Sequence, residues 1–125
     1  MTARRVAQPG SRLGMEVAHW PATDRVAWEA AFAPASPFDL RPTGYRLAPS
    51  TRSAITTCYA RWIVWVKETD SEALDLPAAE RTTQERVLAH LHALADEVAP
   101  LTLVGYACRL QRALELIAPE TDWEW

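Results

Sequence analysis

Prolines do most to limit what this chain can fold into. Pro34, Pro49, Pro100 and Pro119 divide it into segments, because a proline removes a backbone donor and clashes with the preceding helical turn. Between these cuts the apolar residues recur at intervals of three and four. In residues 50–69, Ile55, Cys58, Tyr59, Trp62 and Val66 fall within about 50° of one direction at 100° per residue, which is a helical core stripe. Ile63 and Trp65 flank it, while Thr57, Ala60, Arg61 and Val64 point away. No segment shows the period of two that a half-buried strand requires. The expectation is an all-α protein.

Four helices follow from the same reading. The first starts with Thr23 as N-cap and Asp24 in the first turn, where its charge suits the helix dipole. It puts Ala27, Trp28, Ala31 and Phe32 on one face before Pro34. A stiff link with prolines at 34, 37, 42 and 49 and with Gly44 leads to the second helix, capped by Ser50 or Thr51 and ending near Thr69. The stretch "DSEALDLP" reads as an acidic loop. "TTQE" reads as a capping box with Thr82 as N-cap and Glu85 three residues on. The third helix then carries Val87, Leu91, Leu94 and Val98 on its stripe, with Leu88 and Ala95 beside it, up to Pro100. The fourth opens at Leu101 or Thr102 and aligns Leu103, Tyr106, Ala107, Leu110, Leu114 and Ile117. Four such helices bury one another's stripes as a compact bundle. Residues 1–19 lack periodicity and read as a flexible arm, which leaves residues 20–125 as one domain.

The 125 residues are 49% hydrophobic and 23% charged, within the range of one soluble globular domain. No run approaches the roughly 18 apolar residues of a membrane span, and the N-terminus lacks the apolar stretch of a signal peptide. The expected compartment is the cytoplasm, and no membrane partner is expected. Cys58 and Cys108 fit a reducing compartment as small packed residues. His90 and His92, two apart on a helix, point nearly opposite ways and do not make a metal pair. No metal site, cofactor site or catalytic constellation is read from the sequence. Tyr59 and Tyr106 lie on core stripes, and the carboxylates at 68, 70, 72 and 75 read as solvated. Tryptophans near both ends of the folded part, at 20, 28, 123 and 125, imply that the termini pack back onto the core.

The formal net charge of −3 conceals a division along the chain. Residues 41–67 hold five basic residues (Arg41, Arg46, Arg52, Arg61 and Lys67) and no acid, net +5, whereas residues 68–125 hold four basic and twelve acidic residues, net −8. Segregation of this kind gives a protein of acidic composition a local cationic surface. Two candidate binding faces result. One is the outward side of the second helix with Arg52 and Arg61, extended by Arg41, Arg46 and Lys67. The other is the outward side of the fourth, where Arg109 and Arg112 flank Gly105. A glycine inside a helix costs about 1 kcal/mol relative to alanine, and it leaves room for another backbone to approach. Arg61 is expected to stack on Trp65, four residues on.

In order, "HWPATDRVAWEAAF", the proline-rich link, "STRSAITTCYARWIVWV", "PAAERTTQERVLAHL" and "LTLVGYACRLQRALELIAPETDWEW" cover residues 20–125. This succession resembles the N-terminal core-binding domain of phage-integrase-type tyrosine recombinases. The resemblance implies a SAM-like bundle of four helices that clamps one side of double-stranded DNA. It implies DNA contacts from Arg52, Thr57 and Arg61 of the second helix and from Thr102, Gly105, Arg109 and Arg112 of the fourth, with Arg46 and Lys67 beside them. In that family a separate C-terminal domain supplies the tyrosine nucleophile and the residues that stabilise the transferring phosphate. The present chain stops after "DWEW", near where that domain begins, so it is not expected to cut DNA by itself. Whether it is part of a longer recombinase or a natural orphan of the clamp stays open. The competing expectation is a protein-interaction module that pairs with an intact recombinase or with itself, the +5 segment of one molecule meeting the −8 segment of another.

Overall fold

The computed structural model describes residues 16–34, 38, 44 and 47–123. Among them are five α-helices: α1 (Ala22–Ala31), α2 (Pro49–Thr69), α3 (Ala78–Arg81), α4 (Gln84–Ala95) and α5 (Pro100–Ile117). Short 3-10 turns span Val17–His19 and Ser71–Asp75, and no strand occurs among the described residues. The four longer helices are those expected from the sequence; α3 is a single turn just after the supposed acidic loop of residues 70–77, which itself holds the 3-10 turn Ser71–Asp75.

Helix starts differ from the sequence reading for local reasons. α2 and α5 each place a proline at the first helical position, where the missing N–H would have had no partner and the fixed φ suits the helix. α2 therefore begins one or two residues before Ser50 and Thr51, expected to cap it, and α5 one or two residues before Leu101 and Thr102, expected to open it. The Arg25 amide already donates to Pro21, so α1 starts ahead of Thr23. The Thr82 amide donates to Ala78, which makes Thr82 the end of α3. The cap of α4 passes to Thr83, whose hydroxyl accepts from the Arg86 amide at 3.2 Å. α4 ends at Ala95, and the amides of Glu97 and Val98 turn back onto Leu94. Residues 16–19, assigned above to the arm, include the 3-10 turn whose Val17 packs on the core. The rest of the arm lies outside the described residues.

Helix α2 is the centre of the core. Its expected stripe is buried, and so are Ile63 and Ala60. Ala60 was expected to point outward but is buried: the covered arc of α2 is wider than its apolar stripe, and the 3-10 turn at 71–75 is among the elements packed against this helix. α2 packs closely on α5, which also touches α1 and α4. Residues 50–55 of α2 border residues 108–112 of α5, while Cys58 meets Tyr106 further back, so the two helices run antiparallel. Trp20, Trp28, Phe32 and Tyr59 form one aromatic group, and Trp62, Trp65, His90 and Tyr106 form another. Trp20 and Trp123 are both buried, so the two ends of the described chain do pack back onto the bundle. Cys58 is buried, but Cys108, expected in the packing, is exposed, because it lies on the outer side of α5.

An ion pair holds the connection between α2 and α4. The Arg81 guanidinium forks onto the Asp24 carboxylate of α1 at 2.7 and 3.0 Å, with both side chains inaccessible to solvent. Its remaining donors meet the carbonyls of Ala73, Leu74 and Leu76, and Tyr59 of α2 donates to the same carboxylate. One side chain thus ties α1, α2 and the 71–81 connection together. Asp24 serves the core here, where the sequence reading had it serve the helix dipole. Burial and the neighbouring Asp24 charge push the Tyr59 hydroxyl well above its ordinary pKa, so it stays a donor.

Candidate nucleic-acid interface

The α2–α5 seam collects part of the expected cationic set. Ser50, Thr51, Ala54 and Ile55 of α2 face Cys108, Arg109 and Arg112 of α5 across an open cleft of about 350 Å³ whose lining contains no acid. Arg109 and Arg112 are exposed, and Arg61 is half-buried. Arg109 lies back along its own helix over Gly105, where a Cβ would stand at an ordinary 3.5 Å from the guanidinium. Gly105 is therefore not demanded by any close approach within the chain. Burial pushes the Cys58 thiol up in pKa, while Arg109 and Arg61 both act in the opposite direction, which places both guanidinium groups near that one thiol. Thr57 is exposed, one turn before Arg61 on the same face, with its hydroxyl donating to Ser53 at 3.0 Å.

The other expected contacts lie elsewhere. Arg52 is nine residues before Arg61, roughly half a turn out of phase on the helix. Its guanidinium sits 4.2 Å above the Phe32 ring on the α1 side. Phe32 is fixed in turn by Gly44, whose amide bonds Ala31 at 2.7 Å. A Cβ at position 44 would come within 2.3 Å of the Phe32 ring. Lys67 is at the far end of α2, beside a shallow hollow lined by His19, Pro21, Leu74 and Asp75. Thr102 is exposed in the first turn of α5, ten residues and so roughly 15 Å along the helix from Arg112. Arg41 and Arg46 lie outside the described residues. Trp65 does not lie under Arg61: its rings pack on Trp62 and His90.

The sequence reading missed His90 as a structural element of this seam. It is buried on α4 with Nε2 at 2.6 Å from the Tyr106 hydroxyl, which itself donates to the Cys58 carbonyl at 3.0 Å. The hydroxyl must therefore accept from Nε2–H, which leaves Nδ1 as the unprotonated nitrogen. Burial, helped by the positive charge of Arg61, lowers the His90 pKa to about 4. Burial likewise raises the Tyr106 hydroxyl far above its usual range. A signal was present in the sequence, since His90 falls three residues after Val87 and four before Leu94 on the apolar stripe. The His90–Tyr106–Cys58 chain joins α4, α5 and α2.

Among the described residues no group of His, Cys, Asp and Glu is arranged to hold a metal ion, and no helix is long and apolar enough to cross a membrane. No protein-family model, curated protein or solved structure matches the chain at a significant level.

Proposed function

We propose that the chain is a DNA-binding module, a SAM-like four-helix clamp of the kind that precedes the catalytic domain of tyrosine recombinases, without strand-cleaving activity of its own. The observation that carries this reading is the antiparallel α2–α5 pair, in which Arg109 and Arg112 border a cleft with no acidic lining, while Arg61 and Arg109 both act on the Cys58 thiol further along the seam. Arginines at such a seam suit phosphate oxygens, which fix a protein on a duplex without reading its sequence. Thr57 of α2 and Thr102 of α5 add exposed polar groups to the two helices. Arg52, stacked on Phe32, and Lys67 are outlying contributors.

Three neutralised phosphates give an affinity that falls about fortyfold between 50 and 200 mM salt. Binding is largely non-specific, with a dissociation constant on the order of 10⁻⁴ to 10⁻⁶ M. The test is fluorescence anisotropy of a labelled duplex against the full chain. The Arg61→Glu/Arg109→Glu double variant, checked for folding by circular dichroism, is expected to lose binding at 50 mM salt. An absence of binding by the parent chain at that salt, or equal binding by the double variant, overturns the reading.

A further inference from the structure

Away from the arginine seam, α5 borders a different surface with α4. A hollow of about 190 Å³ lies between Val87, Leu88 and Leu91 of α4 and Ala107 and Leu114 of α5, closed at one end by Trp123. None of the residues lining it is charged. Small-molecule sites run to roughly 300–1,000 Å³, whereas a cavity of roughly 150 Å³ holds one benzene ring. The hollow is thus the size of a single large apolar side chain. Exposed apolar side chains continue beyond it, since Leu88 is 48% and Val104 60% exposed. Spread over about three turns, this surface matches the spacing at which a groove receives the anchors of an amphipathic helix.

The charge around the groove says what kind of helix fits. At 100° per residue Glu85 and Glu115 lie about 80–110° from the centre of the groove on α4 and α5, whereas Arg86, Arg109 and Arg112, which also adjoin lining residues, lie about 140–160° away, and Asp96 and Glu97 occupy the turn between the two helices. We infer that this groove docks a cationic amphipathic helix of a partner protein, with one large apolar side chain in the hollow and Lys or Arg residues against the acidic rim. A nucleic acid or an anionic lipid surface meets repulsion here. A second copy is disfavoured for a related reason. A two-fold pair presents the same patch from both subunits and would bring acidic rim against acidic rim. α2, the described cationic helix, has its own apolar face in the core and cannot supply the docked helix. The inference does not depend on the DNA reading, because it uses a different side of α5.

The test is an NMR titration of the isotope-labelled full chain with two synthetic helical peptides. Both carry leucines and one phenylalanine at helical spacing, and the remaining positions are lysine in one and glutamate in the other. The lysine peptide is expected to shift the amides of Leu88, Ala107, Gln111 and Trp123. It should bind at least tenfold more tightly than the glutamate peptide. The rim variant Glu85→Lys/Glu115→Lys should erase or reverse that preference, and Ala107→Trp, which fills the hollow, should weaken the lysine peptide at least tenfold. Equal binding of both peptides, shifts confined to the arginine seam, or a dimer in light scattering that Leu88→Gln dissociates would each overturn the inference.

Discussion

On the α1 side of α2, Tyr59 meets a carboxylate and a guanidinium; on the α4 side, Tyr106 meets a neutral imidazole and a carbonyl. Both tyrosines lie on core stripes, yet their surroundings bury polarity in different ways. Around Arg81 the charges are taken out of water as a forked pair, with carbonyls occupying the donors that remain. Around His90 the charge is avoided: the ring stays neutral and one nitrogen, Nδ1, has no hydrogen-bond partner in the structure. A satisfied ion pair fails when one member is lost, because the other is then stranded in the core. A neutral ring fails when solvent forces a charge onto it. The first cluster is therefore most sensitive to substitution and the second to pH.

The largest effect is expected from Arg81→Met. It leaves the Asp24 carboxylate buried without its partner, for which the loss of stability is about 3–5 kcal/mol. Urea denaturation of the single variant and of Asp24→Leu/Arg81→Met tests the comparison directly. The double variant should recover most of the loss, because no charge is then left unpaired. If the two variants are equally unstable, the pair contributes through its carbonyl contacts and not through charge balance.

Next in size is the acid response of His90. Its pKa is about 4 in the folded state against 6.5 for the free group. Above pH 6.5 the ring is neutral in both states and pH has no effect through it. As pH falls below 6.5 the unfolded chain takes up a proton that the folded chain resists. Stability then declines by about 1.4 kcal/mol per pH unit, to a total of about 3 kcal/mol near pH 4. Denaturation midpoints measured from pH 7 to pH 4 should show this slope in the parent chain, and it should be reduced by one proton in His90→Leu. An unchanged slope in the variant would assign the acid sensitivity to other groups.

These two clusters also mark how far the fold and the site could be read in advance. Periodicity identifies residues that share a face, and it placed Tyr59, Trp62, Val66, Tyr106 and Leu110 in the core correctly. The same logic put Arg61 on the outward face of α2 and Arg109 and Arg112 on that of α5, where the two α5 arginines are exposed, but it did not bring the two faces to one seam. It has no access to a pairing between residues 24 and 81, which depends on how the 71–81 connection wraps α2 and not on any spacing. Ala60, read as outward-facing, is buried. The place of Arg52 above the Phe32 ring was not legible either, because a cation at the start of a helix follows its local neighbour, here a ring fixed by Gly44. His90 was legible by spacing, but its hydrogen bond to Tyr106 joins two helices whose register no single stripe determines.

The smallest of the three effects sharpens the comparison most. Tyr106→Phe removes a hydroxyl that accepts from His90 and donates to Cys58, at a cost of about 1–3 kcal/mol for a buried donor left without a partner. Without that hydroxyl nothing favours Nε2 as the protonated nitrogen, so the tautomer preference of His90 should weaken, and ¹⁵N chemical shifts of the imidazole report this independently of stability. Tyr59→Phe is the control on the other cluster. There Asp24 keeps both bonds to Arg81, so no group is left without a partner. Loss of stability in Tyr106→Phe with the His90 tautomer unchanged would mean that the ring is oriented by its aromatic neighbours Trp62 and Trp65 and not by the hydroxyl. The neutral cluster would then be held by packing alone, and its difference from the ion-pair cluster would be greater than the hydrogen bonds suggest.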